Sequence, residues 1–212
     1  MDNRKGSFMT AKEMIKETEP ILSKYFKKVE INRIMESAYK KCSVLEVENP
    51  PFESFASQSF LVQGIFGVAV YQALEEELCR EQACELTQAC FLHNIDVMYQ
   101  STMLRLSCKS KAILRMSRKV IINDANSKDD ENGFKYDLKP KRKGYLYCFD
   151  VLKCPIAKLL NKYNLQFLGH YLCEADEYVM KYMPKNVFLK RDKILSHGDD
   201  CCQFEYVFSR KK

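Results

Sequence analysis

The hydrophobic pattern of this chain changes period once, across the polar run "NDANSKDDEN" at 123–132, and that change limits what the chain can fold into. Before the run, apolar side chains recur three and four residues apart. Met14, Ile21, Leu22, Tyr25, Phe26, Val29 and Ile31 do so within 11–43, behind a candidate cap at Thr10, and Pro20 opens a new helix rather than sitting inside one. Pro50 and Pro51 break the pattern. It resumes as two helices over 57–106, one lined by Phe60, Ile65, Val68, Ala69 and Leu74, the other by Leu86, Cys90 and Val97. His93 falls in the second stripe and reads as a core histidine.

After the run, "GYLYCFDV" at 144–151 alternates as a strand does. Pro155 opens a helix carrying Ala157, Leu159 and Leu160, and 171–183 reads as another, ended by Pro184. "NVFLKRDKIL" and "CQFEYVFSR" read as a terminal strand pair closed by the tight turn His197, Gly198, Asp199 and Asp200. The expected fold is α+β, a helical N-terminal half packed with a small antiparallel sheet and flanking helices in the C-terminal half. The 212 residues suit a single α+β domain over 1–212, helical over about 10–120 and sheet-containing over about 144–210, with the polar run as a loop or flexible linker.

Basic residues outnumber acidic ones 34 to 28, and part of the surplus lies in "KPKRK" at 139–143 and "RKK" at 210–212. No aromatic-interleaved basic stripe accompanies these runs, so they read as solvated loop and terminus, and nucleic acid is not an expected partner. No stretch reaches the roughly 18 consecutive apolar residues of a membrane span, because 60–74 is interrupted by Gln63 and Gln72. The opening "MDNRKGSFMTAKEMIKE" lacks the apolar core of a signal peptide. A membrane is therefore not an expected partner either, and the cytoplasm is the expected compartment. There the ten cysteines read as reduced thiols. No Cys-x-x-Cys pair is present, so no metal is expected; a zinc site would have to be assembled from Cys154, Cys173, Cys202 and Asp176. Phosphate-binding glycine loops and Gly-x-Ser-x-Gly elbows are absent, and no cofactor is expected. Nothing in the pattern speaks to oligomeric state.

The reactive residues gather late in the chain. In the final strand Cys202 shares a face with Phe204, Tyr206 and Phe208, whereas Cys201 goes with Gln203, Glu205 and Val207. The neighbouring thiols point apart, and only Cys202 faces the aromatic side. Cys154 stands between a strand and the helix opened by Pro155, where unpaired backbone N–H groups are expected to lower a thiol's pKa. Cys173 and Asp176, three apart, share a helix face, and the carboxylate there could act as a general base or orient a substrate ammonium. His170 belongs to the same cluster, and His197 lies at the turn. Packing is the commoner use of a free thiol. Placement is what marks Cys154, Cys173 and Cys202 as candidates.

The blocks "FDVLKCP", "GHYLCEADEYV" and "LKRDKILSHGDDCCQFEY", in that order, resemble the C-terminal signature of the L-2-amino-thiazoline-4-carboxylic acid hydrolase family. In that pattern an aromatic strand ends in Cys-Pro, a second Cys is followed by an Asp, and an Arg-containing strand runs into Gly-Asp-x-x-Cys-x-Phe. The upstream "YQALEEELCREQACEL" is similar to the family's helical part, so the likeness spans about 60–208. By position, Cys154, Cys173, Asp176 and Cys202 fall on the family's cysteines and acid, and Gly198 and Asp199 on its turn. The family commonly has Asp where Gln203 stands, and Cys201 is outside the pattern. The resemblance implies hydrolysis of a small cyclic amidine, the thiazoline ring of 2-amino-thiazoline-4-carboxylate, toward a carbamoyl-cysteine. Cys154 would be the first candidate nucleophile and Cys202 the second, with Asp176 or a histidine moving the proton. Arg191 would hold the substrate carboxylate, and His170, His197 and Asp199 would complete the substrate contacts. An activated water is the alternative attacking group. The ending Gly-Asp-x-x-Cys-x-Phe is also similar to 4-vinyl reductase domains, which implies a non-catalytic reading, a sensor binding a small molecule or tetrapyrrole. An interaction protein docking through its N-terminal helices is a third.

Overall fold

The computed structural model describes residues 9–209, so the basic run at 210–212 and the first eight residues of the N-terminal stretch lie outside the described residues. The fold is α+β. Seven helices come first: α1 (Ala11–Lys16), α2 (Glu19–Leu22), α3 (Lys28–Glu48), α4 (Phe55–Leu74), α5 (Arg80–Met98), α6 (Thr102–Lys109) and α7 (Lys111–Ser127). The second half runs β1 (Lys135–Leu138), β2 (Tyr145–Lys153), α8 (Pro155–Lys162), α9 (Leu168–Leu172), α10 (Ala175–Tyr178), a 3-10 turn Val179–Tyr182, β3 (Val187–Lys190), a 3-10 turn Leu195–His197 and β4 (Cys202–Phe208). The strands form one antiparallel sheet in the order β1-β2-β4-β3.

Local chemistry sets the helix starts. Thr10 and Glu13 form a reciprocal capping box on α1, with the Glu13 N–H donating to Thr10 Oγ1 at 3.2 Å and the Thr10 N–H to Glu13 Oε2 at 2.8 Å. Helix α4 is apolar nearly all round and lies buried at the centre, packed by α3, α5 and α8 and by α7, which itself packs on the sheet. Among the described residues no helix is long and apolar enough to cross a membrane.

The polar run is not a flexible linker. Helix α7 continues through its first half to Ser127, and its carboxylates turn back onto the start of α4. Asp124 Oδ2 accepts from Ser54 Oγ at 2.7 Å and from the Ala56 N–H at 3.2 Å, while Asp130 accepts from the N–H groups of Glu53 and Ser54 at 3.1 and 3.0 Å. These acids satisfy donors that a helix start otherwise leaves open.

Two further expectations are corrected, and strand β1 lies ahead of the segment expected to hold the sheet. The segment 171–183 is not one helix: Arg191 Nη2 donates to the Cys173 carbonyl at 3.0 Å, and the chain breaks there between α9 and α10. Strands β3 and β4 do pair, Leu189 opposite Tyr206, but β3 stops at Lys190 and the return takes residues 191–201 rather than a tight turn. Arg191 turns its side chain inward, 3% exposed, which takes the backbone off the sheet. Gly198, at φ +95°, and Asp199, accepting the Ile194 N–H at 2.7 Å, close the return.

The buried apolar side chains form a helical cluster around α4 and a sheet cluster around β2 and β4. Phe60 and Cys154 pack against both.

Candidate functional site

Where the two clusters meet is a cavity of about 290 Å³. The sheet supplies Phe149 and Val151 from β2 and Cys202, Phe204 and Tyr206 from β4; α4 supplies Phe60 and Gln63, and α7 supplies Arg118 and Ile121. Cys154, Cys173 and Asp176 line it from α8 to α10. Three separated sequence blocks thus contribute to one wall, since Cys202 lies opposite Val151 across the sheet, three residues before Cys154.

Each reactive group has identifiable partners. The Leu195 N–H points at Cys202 Sγ (3.2 Å), and Ser196 Oγ donates to Cys173 Sγ (3.3 Å). Arg191 Nη1 donates to Asp176 Oδ2 at 2.6 Å, and the same guanidinium lies 5.6 Å from the Phe204 ring centroid. Burial pushes the Asp176 carboxyl above the usual carboxylate range, with Arg191 and Arg118 opposing it. Its side chain is nonetheless 36% exposed, and Asp176 is among the residues that line the cavity. Only Oδ2 takes a hydrogen bond from the described residues.

The expectation of a low-pKa thiol at Cys154 is overturned. The N–H groups of Ala157 and Ile156 do favour its thiolate, but burial outweighs them and the neighbouring Cys173 and Cys202 add repulsion. Burial also pushes Cys202 up to about 12 and raises Cys173. At neutral pH all three are thiols. All ten cysteines are free, including the adjacent Cys201 and Cys202. Among the described residues no group of three or more His, Cys, Asp and Glu side chains is disposed to hold a metal ion, so Cys154, Cys173, Cys202 and Asp176 share a cavity without forming a ligand set.

The residues expected to bind substrate lie elsewhere. Arg191 stands behind Asp176, committed to it and to the Cys173 carbonyl. His170 and His197 are exposed and stacked on each other, ring centroids 4.3 Å apart, and Asp199 is exposed and spent on its turn. None of these four lines the cavity, nor does His93, half-buried on α5.

Arg118 is the residue that sequence reasoning passed over. Its guanidinium lies 4.7 Å from the Phe149 ring centroid and 5.6 Å from that of Tyr147, and its Nε is buried without a hydrogen-bond partner. The guanidinium also hydrogen-bonds the Tyr147 side chain, and a buried N–H with no acceptor, on a residue that lines the cavity, is suited to an anionic ligand group. The signal was present in the spacing: Leu114, Arg118 and Ile122 are four apart, which puts one cation on the buried face of α7.

The sequence model of one protein family, described as L-2-amino-thiazoline-4-carboxylic acid hydrolase, matches residues 58–206. No curated protein and no solved structure matches the chain.

Proposed function

This chain belongs to the L-2-amino-thiazoline-4-carboxylic acid hydrolase family, and we propose that it hydrolyses a small carboxylated cyclic amidine, such as 2-amino-thiazoline-4-carboxylate, to a carbamoyl-cysteine. The observation that carries this reading is the convergence of Cys154, Cys173, Asp176 and Cys202 on one cavity that Arg118, whose Nε has no hydrogen-bond partner, also lines. The volume, about 290 Å³, is at the lower end for ligand pockets and suits a single small ring.

In the proposed reaction Arg118 takes the substrate carboxylate, and the amidine carbon is attacked next to Asp176. Oxygen from water ends on that carbon, its bond to the ring nitrogen breaks, and the nitrogen leaves as the amino group of S-carbamoyl-cysteine. The attacking group is either Cys154, through a covalent dithiocarbonimidate formed as the ring C–N bond breaks, from which water then displaces the Cys154 thiol, or water itself. Because burial keeps the cavity thiols protonated, both routes need a base in the cavity. Asp176 is that base, and Arg191 is a positioning residue that holds it.

The test is incubation with 2-amino-thiazoline-4-carboxylate, following ring opening by mass and free amine. Asp176→Asn is expected to lower kcat by at least about a hundredfold. Full activity in that variant overturns the mechanism. Loss of turnover in Cys154→Ala, with the fold intact, assigns attack to sulfur; retained turnover assigns it to water. The ten free thiols support a reducing, cytoplasmic setting.

The aromatic lining from Phe60, Phe149, Phe204 and Tyr206 favours a second reading, a binding module without chemistry. Its signature is a small ligand retained intact by the purified protein.

A further inference from the structure

Residues 99–123, which hold all of α6 and α7 up to the residue before Asp124, contain no Asp or Glu and carry Arg105, Lys109, Lys111, Arg115, Arg118 and Lys119. The fold sets a second basic segment beside them. A groove of about 730 Å³ runs between α7 and the loop from β1 to β2, and Arg115 and Lys119 face Lys141 and Lys143 across it. Two other cations there are neutralised, Lys139 by Asp137 and Asp150 and Arg142 by Glu205. Among the described residues Arg115, Lys119, Lys141 and Lys143 have no ion pair.

The same helices expose aliphatic side chains where a solvated face needs none. Met103 and Leu106 on α6 are 78% and 63% exposed, and Ile113, Met116 and Val120 on α7 are 39%, 64% and 54% exposed. The last three recur at i, i+3 and i+7, a stripe on the side of α7 opposite its buried Leu114, Ile122 and Ala125. Arg115 Nε donates to the Leu146 carbonyl at 3.0 Å, and the other three cations, Lys119, Lys141 and Lys143, have no ion pair among the described residues. Exposed aliphatic side chains on a helix flanked by such cations are the pattern of a helix lying in the interface of an anionic bilayer.

We propose that the α6–α7 face docks this protein onto a negatively charged lipid surface, with Met103, Leu106, Met116 and Val120 entering the acyl boundary and Arg115, Lys119, Lys141 and Lys143 meeting the headgroups. A second copy of the chain is disfavoured there, because it would bring the same cations face to face. Nucleic acid would use the cations but gain nothing from the aliphatic stripe. The absence of a membrane span does not bear on this mode, which requires none.

The test is co-sedimentation of the full chain with vesicles of phosphatidylcholine alone and of phosphatidylcholine mixed with phosphatidylglycerol, at low and high salt. Binding to the mixed vesicles that weakens with salt is expected. The double variant Lys119→Glu, Lys141→Glu should lower the partition coefficient roughly tenfold or more. Met116→Ser with Val120→Ser should lower it independently, and circular dichroism checks that both variants fold. Equal binding to both vesicles, no binding to either, or insensitivity to both double variants overturns the proposal. So does capture of single-stranded RNA or an acidic peptide by a chain that ignores the vesicles.

Discussion

Asp176 stands between opposing influences, burial pushing its carboxyl up and the two arginines drawing it down. Arg191→Met removes one restraint and lets burial push the carboxyl higher. A base works only when ionised, so the acid limb of kcat/KM against pH should move to higher pH in that variant; an unmoved limb would separate Asp176 from the proton transfer. The buried thiols set a different pH window. Cys42, Cys90 and Cys202 are pushed from 9.0 up to about 12 by burial. Below the lower value, folded and unfolded chains both keep these protons. Between the two values the unfolded chain loses protons that the fold retains, so stability falls as pH rises through this window. Urea unfolding at about pH 8 and about pH 11 should show the midpoint dropping, and a constant midpoint would mean the thiols are not buried as described.

At the scale of elements, the start of α4 depends on acids some seventy positions later in the chain. Asp124→Ala leaves Ser54 Oγ and the Ala56 N–H without their acceptor, at a cost of about 1–2 kcal/mol in chemical denaturation. Lys128→Ala, whose exposed ion pair with Glu53 spans 3.7 Å, should cost far less. How far sequence reasoning reaches follows the same division between local and distant causes. Helix α4 and strands β2 and β4 are legible because their own side chains carry the period. Strand β1, four residues with one buried side chain, exists because β2 has a free edge to pair with. The break after Cys173 comes from an arginine 18 residues away. In the site, Cys154, Cys173, Asp176 and Cys202 were reachable through motif order. Arg118 was concealed among surface cations, and composition alone made the capping acids read as a loop.

For the whole molecule, we propose that the helical and sheet parts form one domain. Asp124 and Asp130 tie α7 and the following loop to α4, and Phe60 and Cys154 belong to both cores. Calorimetry should then give a single cooperative transition, with equal van't Hoff and calorimetric enthalpies; two separable transitions would refute a single unit. The position of the cavity has a further consequence. A molecule seated there touches both cores, so it must leave before either can open. Thermal denaturation therefore doubles as a detector for compounds that fit: at a free concentration a hundredfold above Kd, a resident ligand adds about 2.7 kcal/mol to the native state. A screen of small carboxylated heterocycles by melting temperature would rank candidates with no assay of turnover, and an inactive analogue would register as clearly as the true reactant.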